Sequence, residues 1–495
     1  MKPTLRELRQ EIRNLLTART KFSNRALLRR SRRTGAGTRV EAFEVRSLLS
    51  SNSILVEDLQ PGGGLNNGTE SSGPGPAVDV SGTTYFVAND GINGAELWRI
   101  PAGGNAQLVE DSVPGGGIRA GAVGANISQL TNVNGVLYFT ADDGAHGHEL
   151  WRINGSGTAV MVEGAVAGEG IRAVPEQVYT YVPGGGGGFY TGYYINQPGG
   201  SLPGNLTNVN GTLFFSADDG LSGRELWKIN STGTAVLIED SIAGDGINPV
   251  AETRYPVHPI GSPQLVPGSS NPQELTVVGS TLFFRANNGT NGAELWRINS
   301  AGVAEMIDDS AGTGDPGFAG NVFDSGPTGF TNVSGTLYFS ATDDVYGQDL
   351  WRVGDSGNAV LVEVAVPGGG INVTGSGSYP LSLFNFQGTL YFGALNDQTG
   401  MELWRINSAG IAELVEDAVV GGGINPGTGS SSPGGFAAVG TSLYFVANDG
   451  TRGVELWRIA TPGGQAAIVE DSVPGGGIAP GAAGASVESL INVAG

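Results

Sequence analysis

All seven tryptophans of the chain occur in one recurring pattern: Glu or Asp, then Leu, Trp, Arg or Lys, and Ile or Val. They are Trp98, Trp151, Trp227, Trp296, Trp351, Trp404 and Trp457. Four of the six spacings between them are 53 or 55 residues, and the other two, 76 and 69, contain insertions. A repeat of this period is typical of propellers, solenoids and arrays, in which each unit buries its apolar face against a neighbour.

One repeat unit, residues 205–240, contains four short runs rich in Val, Leu, Phe, Trp and Thr, separated by Gly, Asn, Asp and Ser. This pattern predicts four strands and three connections. The first connection, Asn210-Gly211, suits a type I′ hairpin because both residues tolerate positive φ. Segments between repeats lack helical periodicity, which argues against a helical solenoid.

A single four-stranded sheet of this size cannot bury both faces, so neighbouring copies should stack face to face. We therefore predict an all-β chain: a seven-bladed β-propeller of four-stranded blades at 51–495, after a basic leader at 1–50. Side chains alternate along a strand, so Trp227 should face one neighbouring blade and Leu226 the other. The tryptophans are expected to fill gaps between blades. Glu225 and Lys228 point to opposite faces of the sheet, so the Glu of one blade is expected to form an ion pair with the Arg or Lys of the neighbouring blade.

Both ends of the chain carry partial repeats. Residues 54–64 copy the end of a unit, and residues 487–495 copy only the start of one. Pairing of strands from the two ends could close the ring and remove exposed sheet edges. Alternatively, the sequence stops in the middle of a repeat and is a fragment of a larger repeat protein.

Charge and composition exclude several classes of function. The absence of cysteine excludes disulfides, thiolate metal sites and cysteine nucleophiles. Residues 1–46 hold 13 of the 26 basic residues and four acidic ones, so the remainder has 13 basic and 43 acidic residues, a net charge of −30. The repeat region should repel nucleic acid and anionic lipid, so no nucleic-acid partner is expected. We also expect no transmembrane segment, because no stretch reaches about 18 apolar residues.

The leader combines a helical pattern with a short motif. Leucine and isoleucine at positions 5, 8, 12, 15 and 16 have helical spacing, which favours an amphipathic helix. Further along, residues 42–50 resemble the LEPR-XLL motif of large bacterial surface or secreted repeat proteins, with Glu44, Arg46, Leu48 and Leu49 in matching positions. Phe43 and Val45 depart from the Leu and Pro of that motif. The resemblance implies export to a secreted or cell-surface location.

From residue 51 to 495 the repeats resemble the bacterial ELWxxDGT family, through the Asn-Gly hairpin, the Asp-Asp-Gly loop and the Glu-Leu-Trp strand. One departure is systematic, since Arg-Ile-Asn-x-x-Gly-x-Ala follows Trp where the family has Asp-Gly-Thr. The resemblance implies a propeller-like surface protein and brings no general catalytic residues with it.

The loop between the second and third strands has Asp or Asn at its second position, and Gly four residues later, in every unit. This pairing predicts a turn in which the side-chain oxygen accepts backbone N–H bonds and Gly takes positive φ. Calcium binding is the functional alternative, since hard cations prefer carboxylate oxygens. The candidate calcium ligands are Asp90, Asp143, Asp219, Asp343 and Asp449.

Two insertions interrupt the repeat, at about 169–203 and about 248–273. The first concentrates aromatic residues on a Gly-rich segment, which makes an adaptable contact surface at low entropic cost. These candidate binding residues are Tyr179, Tyr181, Phe189, Tyr190, Tyr193 and Tyr194. They are expected to stack on sugar rings, to dock a protein, or simply to cover their own blade.

Evidence for catalysis in the sequence is thin. His146 and His148 share one loop and His258 stands alone, while the acidic pairs recur in every unit, as scaffold residues do. No G-x-S-x-G, H-E-x-x-H or Walker motif is present. We therefore predict a non-enzymatic binding, adhesion or structural protein that contacts protein or glycan through its acidic loop face. The alternative is a carbohydrate-active propeller, either a lectin or a glycoside hydrolase.

Overall fold

The computed structural model describes most of the repeat region. The described residues are 65–470 without 67–70, 114, 165–169, 173–175, 184–189, 198, 241–245, 249–251, 255–263, 267, 308–323, 344–345, 355–356, 365–369, 373–376 and 418–422. The predicted leader and the partial repeats at 54–64 and 487–495 lie outside them. The described part of the chain contains no helix with the length and apolarity needed to cross a bilayer.

Seven four-stranded antiparallel sheets, numbered here as blades 1 to 7, follow one another along the chain. Blade 1 contains β1 (Val78–Val80), β2 (Thr83–Asn89), β3 (Ala95–Ile100) and β4 (Gln107–Leu108); blade 2 contains β5 (Ser128–Val133), β6 (Val136–Asp142), β7 (His148–Ile153) and β8 (Ala159–Met161). A hairpin of β9 (Glu176–Pro183) and β10 (Tyr190–Gln197) follows in the first insertion. Within each blade the strands pair in sequence order, so every connection is a hairpin.

Blades 3 and 4 repeat this plan on either side of the second insertion. Blade 3 contains β11 (Gly204–Val209), β12 (Thr212–Asp218), β13 (Arg224–Ile229) and β14 (Ala235–Leu237). The insertion forms the pair β15 (Glu252–Arg254) and β16 (Gln264–Val266). Blade 4 contains β17 (Gln273–Val278), β18 (Thr281–Asn287), β19 (Ala293–Ile298) and β20 (Ala304–Met306). Both insertions therefore add two-stranded hairpins without changing the blade plan.

Blades 5 to 7 complete the set. Blade 5 contains β21 (Thr328–Val333), β22 (Thr336–Asp343), β23 (Gly347–Val353) and β24 (Ala359–Leu361). Blade 6 contains β25 (Leu381–Phe386), β26 (Thr389–Asn396), β27 (Gly400–Ile406) and β28 (Ala412–Leu414). Blade 7 contains β29 (Gly434–Val439), β30 (Ser442–Asn448), β31 (Val454–Ile459) and β32 (Ala466–Ile468). The first strands of consecutive blades lie side by side from β1 to β29 and form the inner wall. The fold is a seven-bladed β-propeller, as the sequence predicts.

The turn predicted at Asn210-Gly211 has the expected geometry. The φ angles are 48° at Asn210 and 85° at Gly211, and the same positive pair recurs at Asn134-Gly135 and Ser334-Gly335. Because both central residues of a type I′ turn need positive φ, this chemistry fixes the register of the first two strands in the blades that have the pair.

The core consists of layers between blades. Trp151 on β7 packs against blade 1 residues such as Leu97, whereas its neighbour Leu150 packs against blade 3. All seven tryptophans are 2–6% exposed. Burial of one indole ring contributes roughly 2–3 kcal/mol on the usual area scale. Alternation along the third strand thus places one residue in each of two adjacent layers, and six such layers join blades 1 to 7.

Candidate functional site

The acidic loops between the second and third strands are closed by their own Asp or Asn side chains. In blade 3, Asp219 Oδ1 accepts the backbone N–H groups of Leu221, at 2.8 Å, and Ser222, at 2.7 Å. Asp90, Asp143, Asn288 and Asp449 make the same pair of contacts. Gly223 has a φ of 72°, as this turn requires.

The second carboxylate oxygen of these loops is also engaged within the loop in four blades. Its partner is Asn93 for Asp90, His146 for Asp143, Ser222 for Asp219 and Arg452 for Asp449. Asp343 Oδ1 accepts the N–H groups of Tyr346 and Gly347. No group of three or more His, Asp or Glu side chains in the described residues is arranged to hold a metal ion. Calcium binding stays a prediction.

In blades 1 to 6, a buried carboxylate on the third strand holds the loop that leads to the next blade. Glu225 is fully buried and accepts the N–H of Ser270 at 2.8 Å, the N–H of Ile247 at 3.1 Å and the hydroxyl of Ser270 at 2.5 Å. Glu149 and Glu402 bind Ser201 and Ser431 in the same way. Each of these acids therefore fastens two consecutive blades together.

Burial raises the pKa of these carboxyl groups despite their hydrogen bonds. The pKa is raised to about 7 in Glu96, Glu225, Asp349 and Glu402, and to about 8 in Glu294.

The ion pairs predicted between the third strands of adjacent blades are not found among the described contacts. Arg297, for example, donates to Gly357 O in the next blade and to Glu305 in its own. The acids instead bind serine and backbone donors.

The aromatic candidates lie mostly in the hairpin of the first insertion. Backbone pairing sets Tyr194 opposite Tyr179, Gly192 opposite Tyr181 and Tyr190 opposite Pro183. Tyr193 pairs with Thr180, and Phe189 lies outside the described residues. Hence the backbone brings Tyr179 and Tyr194 together at one register position of the hairpin. The role of these residues in ligand binding stays a prediction.

A cavity of about 630 Å³ opens between blades 1 and 2; we call it the lateral cavity. Three carboxylates, Asp111, Asp143 and Glu163, line it together with His146. Its described lining contains no lysine or arginine. Apolar contact surface comes from Val113, Ile118, Trp151 and Met161. The lateral cavity is therefore acidic on one part of its wall and apolar on another.

Electrostatics distinguish two of these acids. Burial raises the pKa of Asp111, and the charges of Asp143 and Glu110 raise it further against the hydrogen bond from Val113 N–H. Burial acts in the same direction on Asp143, but hydrogen bonds from the backbone and ring of His146 outweigh it and lower that pKa. His146 Nδ1 lies 2.6 Å from Asp143 Oδ2. A cation in this cavity would relieve the mutual repulsion of the acids.

A second cavity, of about 520 Å³, is lined by the first strands of blades 2, 3 and 4; we call it the axial cavity. Gln129, Asn205 and Glu274 occupy equivalent positions in its wall, at φ angles of 54–57°. Blades 5 and 7 have Gly329 and Gly435 there. Gln129 Oε1 accepts the N–H of Leu206 at 3.2 Å, so the side chain joins blade 2 to blade 3.

Sequence reasoning did not assign Asp111, His146 or the axial residues to a site. The repeat pattern makes acidic loop residues look like scaffold, although Asp111 and Asp143 converge on one cavity. A signal for the axial residues exists in the sequence, because Gln129, Asn205 and Glu274 stand where two other units have glycine. Aligning the units and reading their differences would have found it.

Comparison with known proteins gives structural likeness only. No family model and no curated protein matches the chain. A solved prolyl endopeptidase structure matches with 11% identity and a TM-score of 0.36, covering 80% of this chain and 49% of that one. A puromycin hydrolase matches with 16% identity and a TM-score of 0.29, covering 81% and 54%. The β-propeller domain of the Trilobed protease from Pyrococcus furiosus matches with 8% identity and a TM-score of 0.30, covering 79% and 93%.

The chain thus spans about half the length of the prolyl endopeptidase and puromycin hydrolase structures that it matches. Likeness at this level concerns the fold and assigns no activity to this chain. These neighbours are nevertheless peptidases and hydrolases, which contradicts the expectation of a non-enzymatic adhesion or structural protein. The prediction relied on the absence of catalytic motifs from the repeats. Residues that recur in every repeat form the scaffold, so they say little about the function of the protein.

Proposed function

We propose that this chain is a substrate-recognition propeller of peptidase type, which takes a basic side chain of a polypeptide into the lateral cavity. The observation that carries the proposal is the convergence of Asp111, Asp143 and Glu163 on one cavity whose described lining has no lysine or arginine. Supporting context comes from the solved peptidases of similar architecture, whose substrates are peptides.

The shape and chemistry of the lateral cavity suit lysine or arginine. Both side chains carry a cationic end on an apolar stem, and such stems pack on apolar surface while the charged end meets polar groups. Trp151 and Met161 offer that surface, and Asp111 and Asp143 offer the charge. The net charge of −30 over the repeat region adds long-range attraction for a basic peptide.

Paired peptides test this function. A labelled, amidated peptide with one central lysine should bind the full chain at low salt more tightly than the same peptide with norleucine. Fluorescence polarisation gives both dissociation constants. Since norleucine keeps the stem and removes the ammonium group, equal affinity for the two peptides would exclude the proposed recognition of a basic side chain.

The substitution Asp143→Asn provides a variant that should keep the turn, because Asn288 accepts the equivalent N–H bonds in blade 4. Together with Asp111→Asn it should weaken binding of the lysine peptide by about a hundredfold, since two charge-assisted contacts of on the order of 1.5 kcal/mol each are lost. Asp219→Asn, at the same loop position in blade 3, is the matched control and should leave binding unchanged. An equal loss in the control would locate the effect in overall charge instead.

A further inference from the structure

Each blade has two faces, and one face of blade 7 differs from its counterparts. We call the side that carries the tryptophan the Trp face, and the side that carries the preceding leucine the Leu face. The Leu faces of blades 1 to 6 pack against the Trp faces of the blades that follow them. Blade 7 is the last described blade, and its Leu face takes part in none of these layers.

Exposure at equivalent positions shows that the Leu face of blade 7 is uncovered. Val439 is 40% exposed, whereas the residue at that position is 1–8% exposed in the other six blades. Leu456 is half-buried, although the equivalent leucine is 0% exposed in blades 1 to 6. Tyr444 and Val446 are half-buried, and Val454 is 41% exposed. This face therefore has the apolar residues of an interface but lacks the blade that would cover them.

The arginine of this face lacks the partners that its counterpart has in blade 6. There, Arg405 Nη1 donates to Gly464 O of blade 7 at 2.8 Å, and its Nε donates to Glu413 at 2.6 Å. Arg458 in blade 7 is exposed, and the residue opposite it on the fourth strand is Ala467 in place of a glutamate. Within the described residues Arg458 has no hydrogen bond or ion pair. The Leu face of blade 7 thus presents an unpaired cation.

The other faces of the seven described blades are already covered. The Trp faces of blades 2 to 7 are occupied by the preceding blade. The Trp face of blade 1 is buried as well, since Phe86 and Trp98 are 6% and 4% exposed and cluster with Leu65. In a second copy of the chain, the uncovered face is again the Leu face of blade 7. An interface that uses the same surface on both copies has two-fold symmetry and is complete in a dimer.

The chemistry of this face suits pairing with itself. Tyr444 and Arg458 lie opposite each other on neighbouring strands. A guanidinium group is attracted to the face of an aromatic ring, and more strongly so where water is excluded. Two-fold pairing can place Arg458 of one copy on the ring of Tyr444 of the other and repeat the contact in reverse. Val439, Val454 and Leu456 add apolar contact around these two pairs.

We propose that the Leu face of blade 7 is a homodimer interface, through which two copies of this chain pack face to face. The dimer covers apolar residues that the monomer exposes to water, and contiguous apolar surface of this kind marks interaction sites. It also gives Arg458 a partner. The interface does not depend on peptide binding in the lateral cavity, which lies between blades 1 and 2.

Sedimentation velocity of the full chain over a range of concentrations tests the proposal, with one reversible step from monomer to dimer as the expected result. Val439→Arg should raise the dissociation constant of the dimer at least about tenfold, because it brings two like charges into the interface. The matched control is Leu221→Arg in blade 3, at a hydrophobic residue that is 56% exposed, and it should leave the dimer unchanged. A chain that stays monomeric at every concentration, or one that grows beyond the dimer, would overturn the two-fold pairing.

Single introduced cysteines locate the interface, because the chain contains none of its own. With a bis-maleimide cross-linker, Val439→Cys or Val454→Cys should give covalent dimers, and Leu221→Cys should not. Arg458→Gln, which removes the cation but none of the apolar residues, should weaken the dimer about fivefold. Thermal unfolding of each variant checks the fold. A folded Val439→Arg protein that dimerises like the wild type, or the absence of covalent dimers from both cysteine variants, would refute the proposal.

Discussion

At the scale of single residues, the buried acids combine hydrogen bonds between blades with the cost of burying a carboxyl group. Glu225 lies fully buried, yet it accepts three hydrogen bonds from residues that lead into the next blade. These bonds do not cancel the desolvation of the carboxylate, so its pKa is raised to about 7. The same residue therefore fastens the blades and makes their stability depend on pH.

We expect the contribution of Glu225 to stability to fall as the pH rises. Because the folded pKa, about 7, exceeds the ordinary value of 4.5, the folded state binds the proton more tightly than the unfolded state does. The stabilisation is complete below about pH 4.5 and is lost as the pH rises through 7. Urea unfolding at pH 5 and pH 8 should show that the difference between wild type and Glu225→Gln shrinks by roughly 1–3 kcal/mol at the higher pH.

The matched control is the substitution of a half-buried acid in the same blade, Asp240→Asn, whose stability difference should be similar at pH 5 and pH 8. A wild-type advantage that instead grew between pH 5 and pH 8 would show that the Glu225 carboxylate is stabilised, rather than destabilised, by its surroundings.

At the scale of elements, turn chemistry sets the register of the first hairpin of a blade. The first hairpin of blade 5 turns at Ser334-Gly335 with φ angles of 51° and 90°, and Asn332 Oδ1 accepts the N–H of Gly335 at 3.1 Å. A one-residue slip would move every apolar side chain to the wrong face. Asn332 Nδ2 also donates to Val277 O in blade 4, so one side chain closes its own hairpin and binds the neighbouring blade.

Gly335→Ala should destabilise the protein by about 1 kcal/mol through backbone strain alone, because a Cβ there would have no heavy atom within 4 Å. Gly434→Ala, also with nothing within 4 Å but without a positive φ, should change stability little. Chemical denaturation midpoints compare the two. Equal effects at both glycines would mean that φ is not the determining factor.

At the scale of the whole molecule, stability is distributed over layers between adjacent blades. Each layer combines aromatic and aliphatic residues from two sheets, for example Trp227 and Phe215 of blade 3 with Leu150 and Val162 of blade 2. A blade separated from its neighbours would expose both faces, so each blade depends on the next. Charge works against this assembly, since a net −30 over the repeat region favours expansion.

Trp227→Ala should lower the free energy of unfolding by about 3–5 kcal/mol, the usual cost of removing a large buried side chain. Trp227→Phe, which keeps most of the apolar volume but loses the indole bond to Ala217 O, should cost clearly less. Calorimetry or urea unfolding measures both. A small effect of the alanine substitution would contradict the role of the layer between blades 2 and 3 as core.

The sequence by itself determined the fold of this protein. Its period, its alternating strands and its glycine-containing first turns act locally and recur seven times, so the same local pattern supports the same blade in each unit. The burial of tryptophan followed from the same alternation. The partners of Glu225 were not predictable in this way, because they lie in the loop that leads to the next blade and include a serine 45 residues along the chain.

Only the tertiary structure decided where a site could lie. Asp111 and Asp143 belong to different repeat units, and each looks like scaffold within its own unit; they share a cavity because blade 2 stacks on blade 1. Gln129, Asn205 and Glu274 are likewise brought together only when three first strands line one wall. The repeat pattern consists of the residues that all blades share. Function depends on what differs between blades and on which of those differences the stacking of adjacent blades places side by side.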